Sequence, residues 1–96
     1  MTCFAVLYTY NPASPRIAEI RPVHREFLSQ LLADGKLVGS GPFTDTTGGA
    51  LIVIRLDDNA TVDDAEQLMN QDPFFTEKAI DSREIRPWNP VLNIFS

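Results

Sequence analysis

Two residues of this chain have the type and placement to do chemistry: its single histidine, His24, and Asp72, which precedes a proline in the run Gln71-Asp72-Pro73-Phe74-Phe75. A carboxylate bonded to one imidazole nitrogen fixes the ring tautomer and makes the other nitrogen a better base. Such a pair performs proton transfer, with His24 as the acid/base and Asp72 as its orienter. Each residue also has a packing explanation. A lone histidine on an apolar helix face can be a core residue bonded to a carbonyl. An aspartate before a proline can cap the helix that the proline begins. The two accounts part on whether the side chains meet, which depends on the elements that carry them.

His24 lies in "PVHREFLSQLLAD", whose pattern predicts a helix with Pro22 as its first residue and Gly35 as its left-handed stop. Each residue advances about 100° around the axis, so with Val23 at zero Phe27 falls at about 40°, Leu31 at about 80°, His24 at about 100° and Leu28 at about 140°. The imidazole is mid-stripe, and Arg25, Glu26, Ser29 and Ala33 take the solvated side. A helix start opposes a charged imidazole, whereas a nearby carboxylate favours it. Thr61 caps a second predicted helix, "VDDAEQLMNQ", with Asp63 and Asp64 in its first turn. If that helix persists to Asp72, the carboxylate also points inward, a costly placement unless something pairs with it. A short third helix is expected over "PFFTEKAI".

The strands read as "CFAVLYTY" at residues 3–10, "KLVGSGPF", "ALIVIRLDD" and a last one within "SREIRPWNPVLNIF", where Pro87 and Pro90 imply an edge or a bend. The segment "ASPRIAEI" reads as a lead-in with a helical turn, and "TDTTGG" as a polar turn. The order is strand, helix, strand, strand, helix, strand, the ferredoxin-like βαββαβ arrangement of an α+β fold with an antiparallel sheet. In it the two helices run antiparallel, so the start of the first, with His24, sits beside the end of the second, with Asp72. The carboxyl ends of the first two strands reach the same end, bringing Tyr8 or Tyr10, Ser40 and the Gly41-Pro42 step. Ser40, Tyr8, Arg21 and Phe74 are therefore the candidate substrate contacts, with Arg21 and Arg25 flanking the histidine. Ser40, Tyr8 and the arginines each have an ordinary alternative: a turn residue for Ser40, a half-buried strand aromatic for Tyr8, solvated cations for the arginines.

Helices can cover only one face of the sheet. In "ALIVIRL" Ala50, Ile52, Ile54 and Leu56 share one side, yet Leu51 and Val53 on the other are apolar too. An identical face from a second subunit is the simplest cover, so a homodimer is expected.

Ninety-six residues, 44% apolar and 22% charged, make one globular domain spanning 1–96. No apolar run approaches the roughly 20 residues of a membrane-spanning helix. The start "MTCFAVLYTYNP" has no basic leader, so a cytoplasmic location is expected. One cysteine, Cys3, and one histidine build neither a disulfide nor a multi-ligand zinc site. A net charge of −5 without a cationic stripe argues against nucleic acid. "GSGPF" lacks the spacing of a dinucleotide loop and "TTGG" the lysine of a phosphate loop, so no metal or cofactor is expected.

The residues "RPVHREFLSQLLADGKLVGSGPF", "QDPFF" and "IRPWNPV" together resemble the YCII-related family, small proteins of the dimeric α+β barrel type. The likeness covers nearly the whole chain: a histidine just after Arg-Pro, a Gly-Lys-Leu step, Gly-Pro after the second strand and Asp-Pro-aromatic after the second helix. It implies that His24 and Asp72 form a dyad in a cleft near a dimer interface. It also implies kinship of fold with muconolactone isomerase and with a dehydrochlorinase acting on a chlorinated hydroxyhydroquinone. Where the family often carries a longer polar loop, this chain has "TDTTGG". The expected function is proton transfer on a small aromatic or carboxylate-bearing molecule, giving elimination, isomerisation or hydrolysis. A dimeric small-molecule binding module without catalysis is the alternative, and an interaction domain that uses the second sheet face is a third.

Overall fold

The structure, a computed structural model, describes residues 1–95. The elements run β1 (Thr2–Thr9), α1 (Pro15–Ala33), β2 (Leu37–Pro42), β3 (Ala50–Leu56), α2 (Val62–Met69), α3 (Pro73–Thr76) and β4 (Ser82–Trp88). The strands form one antiparallel sheet in the order β2-β3-β1-β4, the ferredoxin-like α+β topology expected from the element order. Alternation sends Phe4, Val6 and Tyr8 of β1 and Ala50, Ile52 and Ile54 of β3 to the helix side, where they are buried. Ile17, Ile20, Leu28 and Leu31 of α1 with Ala65 and Met69 of α2 complete that core.

α1 begins seven residues before the expected start, so that Pro22 lies inside it. Pro15 takes the first-turn position, and the Ile17 amide bonds the Ser14 carbonyl at 3.1 Å. Ile17 and Ile20 continue the spacing of His24, Leu28 and Leu31, so the apolar stripe runs through the proline. The lost bond from residue 22 to the Ala18 carbonyl falls where both residues are exposed and water can replace the donor. Val23, expected on the stripe, is exposed, because the buried arc is centred on His24 and Leu28. At the other end Gly35 adopts φ +74°, and the Lys36 amide reaches back to the Leu31 carbonyl at 2.8 Å. That geometry is the left-handed stop read from the sequence.

α2 ends at Met69, sooner than expected, and Asp72 starts α3. α3 is four residues long, closed by Lys78 at φ +55°. β4 is an edge strand, which tolerates Pro87, and it stops at Trp88 opposite Cys3, where β1 itself runs out. Residues 89–95 turn instead of extending the strand, and the Phe95 ring comes back to 6.4 Å from that of Trp88. On the outer sheet face Leu51 and Trp88 are 36% and 42% exposed while Val53 is buried.

The turn between β2 and β3 sets the floor beneath the site. Gly49 adopts φ +86°, and a Cβ there would lie 2.5 Å from the Tyr8 carbonyl, so only glycine lets β3 begin this close to the end of β1.

Candidate active site

The carboxylate of Asp72 is fully buried and is surrounded by donors from three elements. His24 Nδ1 lies 2.8 Å from Oδ1 and 2.9 Å from Oδ2. The Tyr8 hydroxyl, on β1, donates to Oδ2 at 2.7 Å, and the Phe74 backbone N–H donates to Oδ1 at 3.0 Å. Capping and pairing, rival explanations for Asp72 in the sequence, are both realised, because one carboxylate offers several lone-pair sites. Since an ionised carboxylate only accepts, Nδ1 carries the proton and Nε2 is the nitrogen left for other chemistry.

The imidazole itself is buried, yet it borders a cleft of about 390 Å³ between α1 and the edge strand β2. Phe74 lies flat on it, with centroids 3.8 Å apart and planes 8° off parallel, and Tyr10 meets Phe74 edge-on at 5.8 Å. Two planes, the carboxylate and the phenyl ring, thus fix both the direction and the tilt of the imidazole. His24 sits in the middle of α1, more than two turns from its start, so the opposing helix dipole expected from a start at Pro22 does not reach it.

Arg21, Ser40 and Phe74 border the same cleft as His24, together with Arg25 and Tyr10. Tyr8 does not border it: the hydroxyl is turned to Asp72 behind the histidine, and Tyr10 is the tyrosine that reaches the cleft. Burial, the charge of Asp72 and the hydrogen bond to it push the Tyr8 hydroxyl far above its ordinary value, against a weaker opposing pull from Arg83. Tyr8 is therefore a fixed donor across the ordinary pH range. Strand alternation places Tyr8 on the inner face, but a period of two does not say which group its hydroxyl will meet. Arg83 was not legible as a neighbour of the site. It stacks on Phe75 at 3.9 Å and donates to Asn70 at 2.8 Å, contacts that arise only after α2 and α3 fold against β4.

Among the described residues, no group of three or more histidine, cysteine or acidic side chains is arranged to hold a metal ion. Nor is any described helix long and apolar enough to cross a membrane.

The sequence profile of the YCII-related domain matches residues 2–89. No curated protein sequence matches the chain. Among solved structures, the chain is similar to a 5-chloro-2-hydroxyhydroquinone dehydrochlorinase from Burkholderia phenoliruptrix, in complex with 2,5-dihydroxybenzoquinone. The TM-score is 0.74 at 19% identity, with 91% of this chain and 93% of the other covered, a likeness of fold.

Proposed function

The chain belongs to the YCII-related family, and from that premise we propose that it is a small cofactor-independent enzyme in which His24 transfers a proton to or from a small molecule. The observation that carries this reading is the bond between His24 Nδ1 and a buried carboxylate held by two further donors. Nε2 acts as the acid/base towards the cleft, and Asp72 holds the ring and stabilises the imidazolium that forms when Nε2 accepts a proton. Ser40, Arg21 and Phe74 contact the substrate; Tyr8, by its position, serves Asp72 instead. The reaction is an elimination, isomerisation or hydrolysis on an aromatic or carboxylate-bearing compound.

A chlorinated hydroxyhydroquinone is the first compound to assay, because the structural neighbour is a dehydrochlorinase of that class. Chloride release should fall by about 10²- to 10⁴-fold in His24→Gln, the range that general acid–base catalysis contributes. Glutamine keeps much of the hydrogen bonding, so folding and ligand binding should survive. Turnover equal to wild type in that variant would discard His24 as the acid/base.

The active unit is a homodimer in which the outer sheet faces cover each other. Leu51 and Trp88, exposed on that face beside the buried Val53, support this reading. Sedimentation equilibrium of the chain should give twice its 10.7 kDa mass. A monomer at micromolar concentration would remove the dimer and leave the exposed face to another partner.

A further inference from the structure

Eight cationic side chains are distributed over the chain: six arginines and two lysines. Four of the arginines are engaged. Arg16 pairs with Glu19 and Glu77, and Arg55 donates to the Gly35 carbonyl at 2.9 Å. Arg83 donates to Asn70, and Arg86 lies 3.8 Å from Glu84. The other two are Arg21 and Arg25, for which the described residues supply neither an acid nor a hydrogen-bond acceptor. They are four apart on α1, so their charges repel along the helix, a pairing that costs a few tenths of a kcal/mol when nothing intervenes. Nor does α1 offer relief: the positions three and four residues away from each are Ile17, Ala18, Pro22, His24, Leu28 and Ser29, none of them acidic.

Both unpaired arginines border the cleft that contains His24. On the helix, Arg21 is three residues before the histidine and Arg25 one residue after it, and all three border the cleft. Opposite them the cleft is walled by Leu37, Ser40 and Ile52, apolar but for one hydroxyl. In an acidic protein of net charge −5, the two arginines with neither an ion pair nor a hydrogen bond among the described residues thus lie at one hollow. The volume of about 390 Å³ is near the lower end of ligand pockets, which suits a compound of one ring.

We infer that the cleft selects a small planar anion, a carboxylate or ionised phenol on a single ring, whose charged oxygens are held by Arg21 and Arg25 and whose ring lies against Leu37 and Ile52. The inference rests on the proton-transfer reading of the same cleft and adds the charge and size of what that cleft accepts. Guanidinium groups suit this task because their flat forks match the paired oxygens of a carboxylate. An anion between them also removes the repulsion that the free helix carries. With the charge fixed at the rim, the neighbouring proton of the ligand is presented to Nε2.

The test uses the full chain labelled with nitrogen-15 and two probes of the same shape, salicylate and its neutral analogue salicyl alcohol. Salicylate should move the side-chain N–H signals of Arg21 and Arg25 and bind at least about tenfold more tightly than the alcohol, a charge-assisted preference that weakens with added sodium chloride. The double variant Arg21→Gln/Arg25→Gln should abolish that preference. Arg16→Gln/Arg86→Gln, with the same change in net charge, should keep it. Equal affinity for the two probes, no binding of salicylate, or a preference that survives in Arg21→Gln/Arg25→Gln each overturns the inference. The His24→Gln variant keeps the anion preference if the inference is right, whatever it does to turnover. Loss of the proton-transfer reading and loss of the anion clamp are therefore read by different measurements.

Discussion

Two hollows of the molecule lie at opposite ends of the sheet, and the larger of them is the poorer candidate. The second hollow, of about 670 Å³ against 390 Å³, is bordered by Asp34, Lys36, Arg55, Asp64 and Gln67. There Asp34, Arg55 and Asp64 are occupied with ending and starting helices. Arg55 Nε donates to the carbonyl of Gly35, just past the end of α1, and Asp64 closes a capping box with Thr61. At the His24 end a histidine held by a buried acid, with one nitrogen uncommitted, and two arginines without partners border one cleft. What separates a site from a dent is chemical capacity left unspent, and volume does not measure that.

That contrast can be broken by removing one acceptor at each end. Asp72→Ala strands three donors, among them the buried Tyr8 hydroxyl, and should cost about 3–5 kcal/mol in urea unfolding. Thr61→Ala at the other end removes a solvent-exposed cap and should cost only about 1 kcal/mol. Similar losses in the two variants would mean that the Asp72 network is ordinary capping.

A smaller effect than that of Asp72→Ala sharpens the same contrast through pH. Tyr8→Phe removes one hydrogen bond to a charged acceptor and should cost about 1.5–3 kcal/mol near neutrality. Because the Tyr8 hydroxyl is raised above its ordinary value of 10.0, the folded chain holds a proton that the unfolded chain releases. The stabilisation is complete below pH 10.0 and declines as pH rises above it. Urea midpoints at neutral and strongly alkaline pH should therefore fall less steeply for Tyr8→Phe than for wild type. Parallel slopes would show that the phenol is not held in its protonated form by Asp72.

How far the sequence carried can be seen residue by residue. The orientation of His24 followed from helical periodicity alone, since its neighbours Leu28 and Leu31 fix the buried arc whatever the true start of α1. The start was misplaced because Pro22 is as good a first residue as Pro15. The apolar pair Ile17 and Ile20, already in phase with the stripe, carried the information that the helix began earlier. Asp72 could be narrowed to two uses but not resolved, because both draw on the same carboxylate. The meeting of His24 with Asp72 came from topology, which brings residues 48 positions apart to one end of the helical layer. What stayed hidden were contacts that depend on side-chain direction across elements, such as the Tyr8 hydroxyl on Asp72 and the Phe74 ring on the imidazole. The turned segment after Trp88 was hidden for another reason: strand-like residues extend only while a neighbour has backbone left to pair with them.

The same carboxylate that steers the imidazole also begins a helix of a single turn. Fraying of residues 73–76 would release the Phe74 amide and lift the phenyl ring from the histidine, while the four strands stayed paired. Such a breath would leave the imidazole bonded to Asp72 but without its stacking partner, at the cost of one turn.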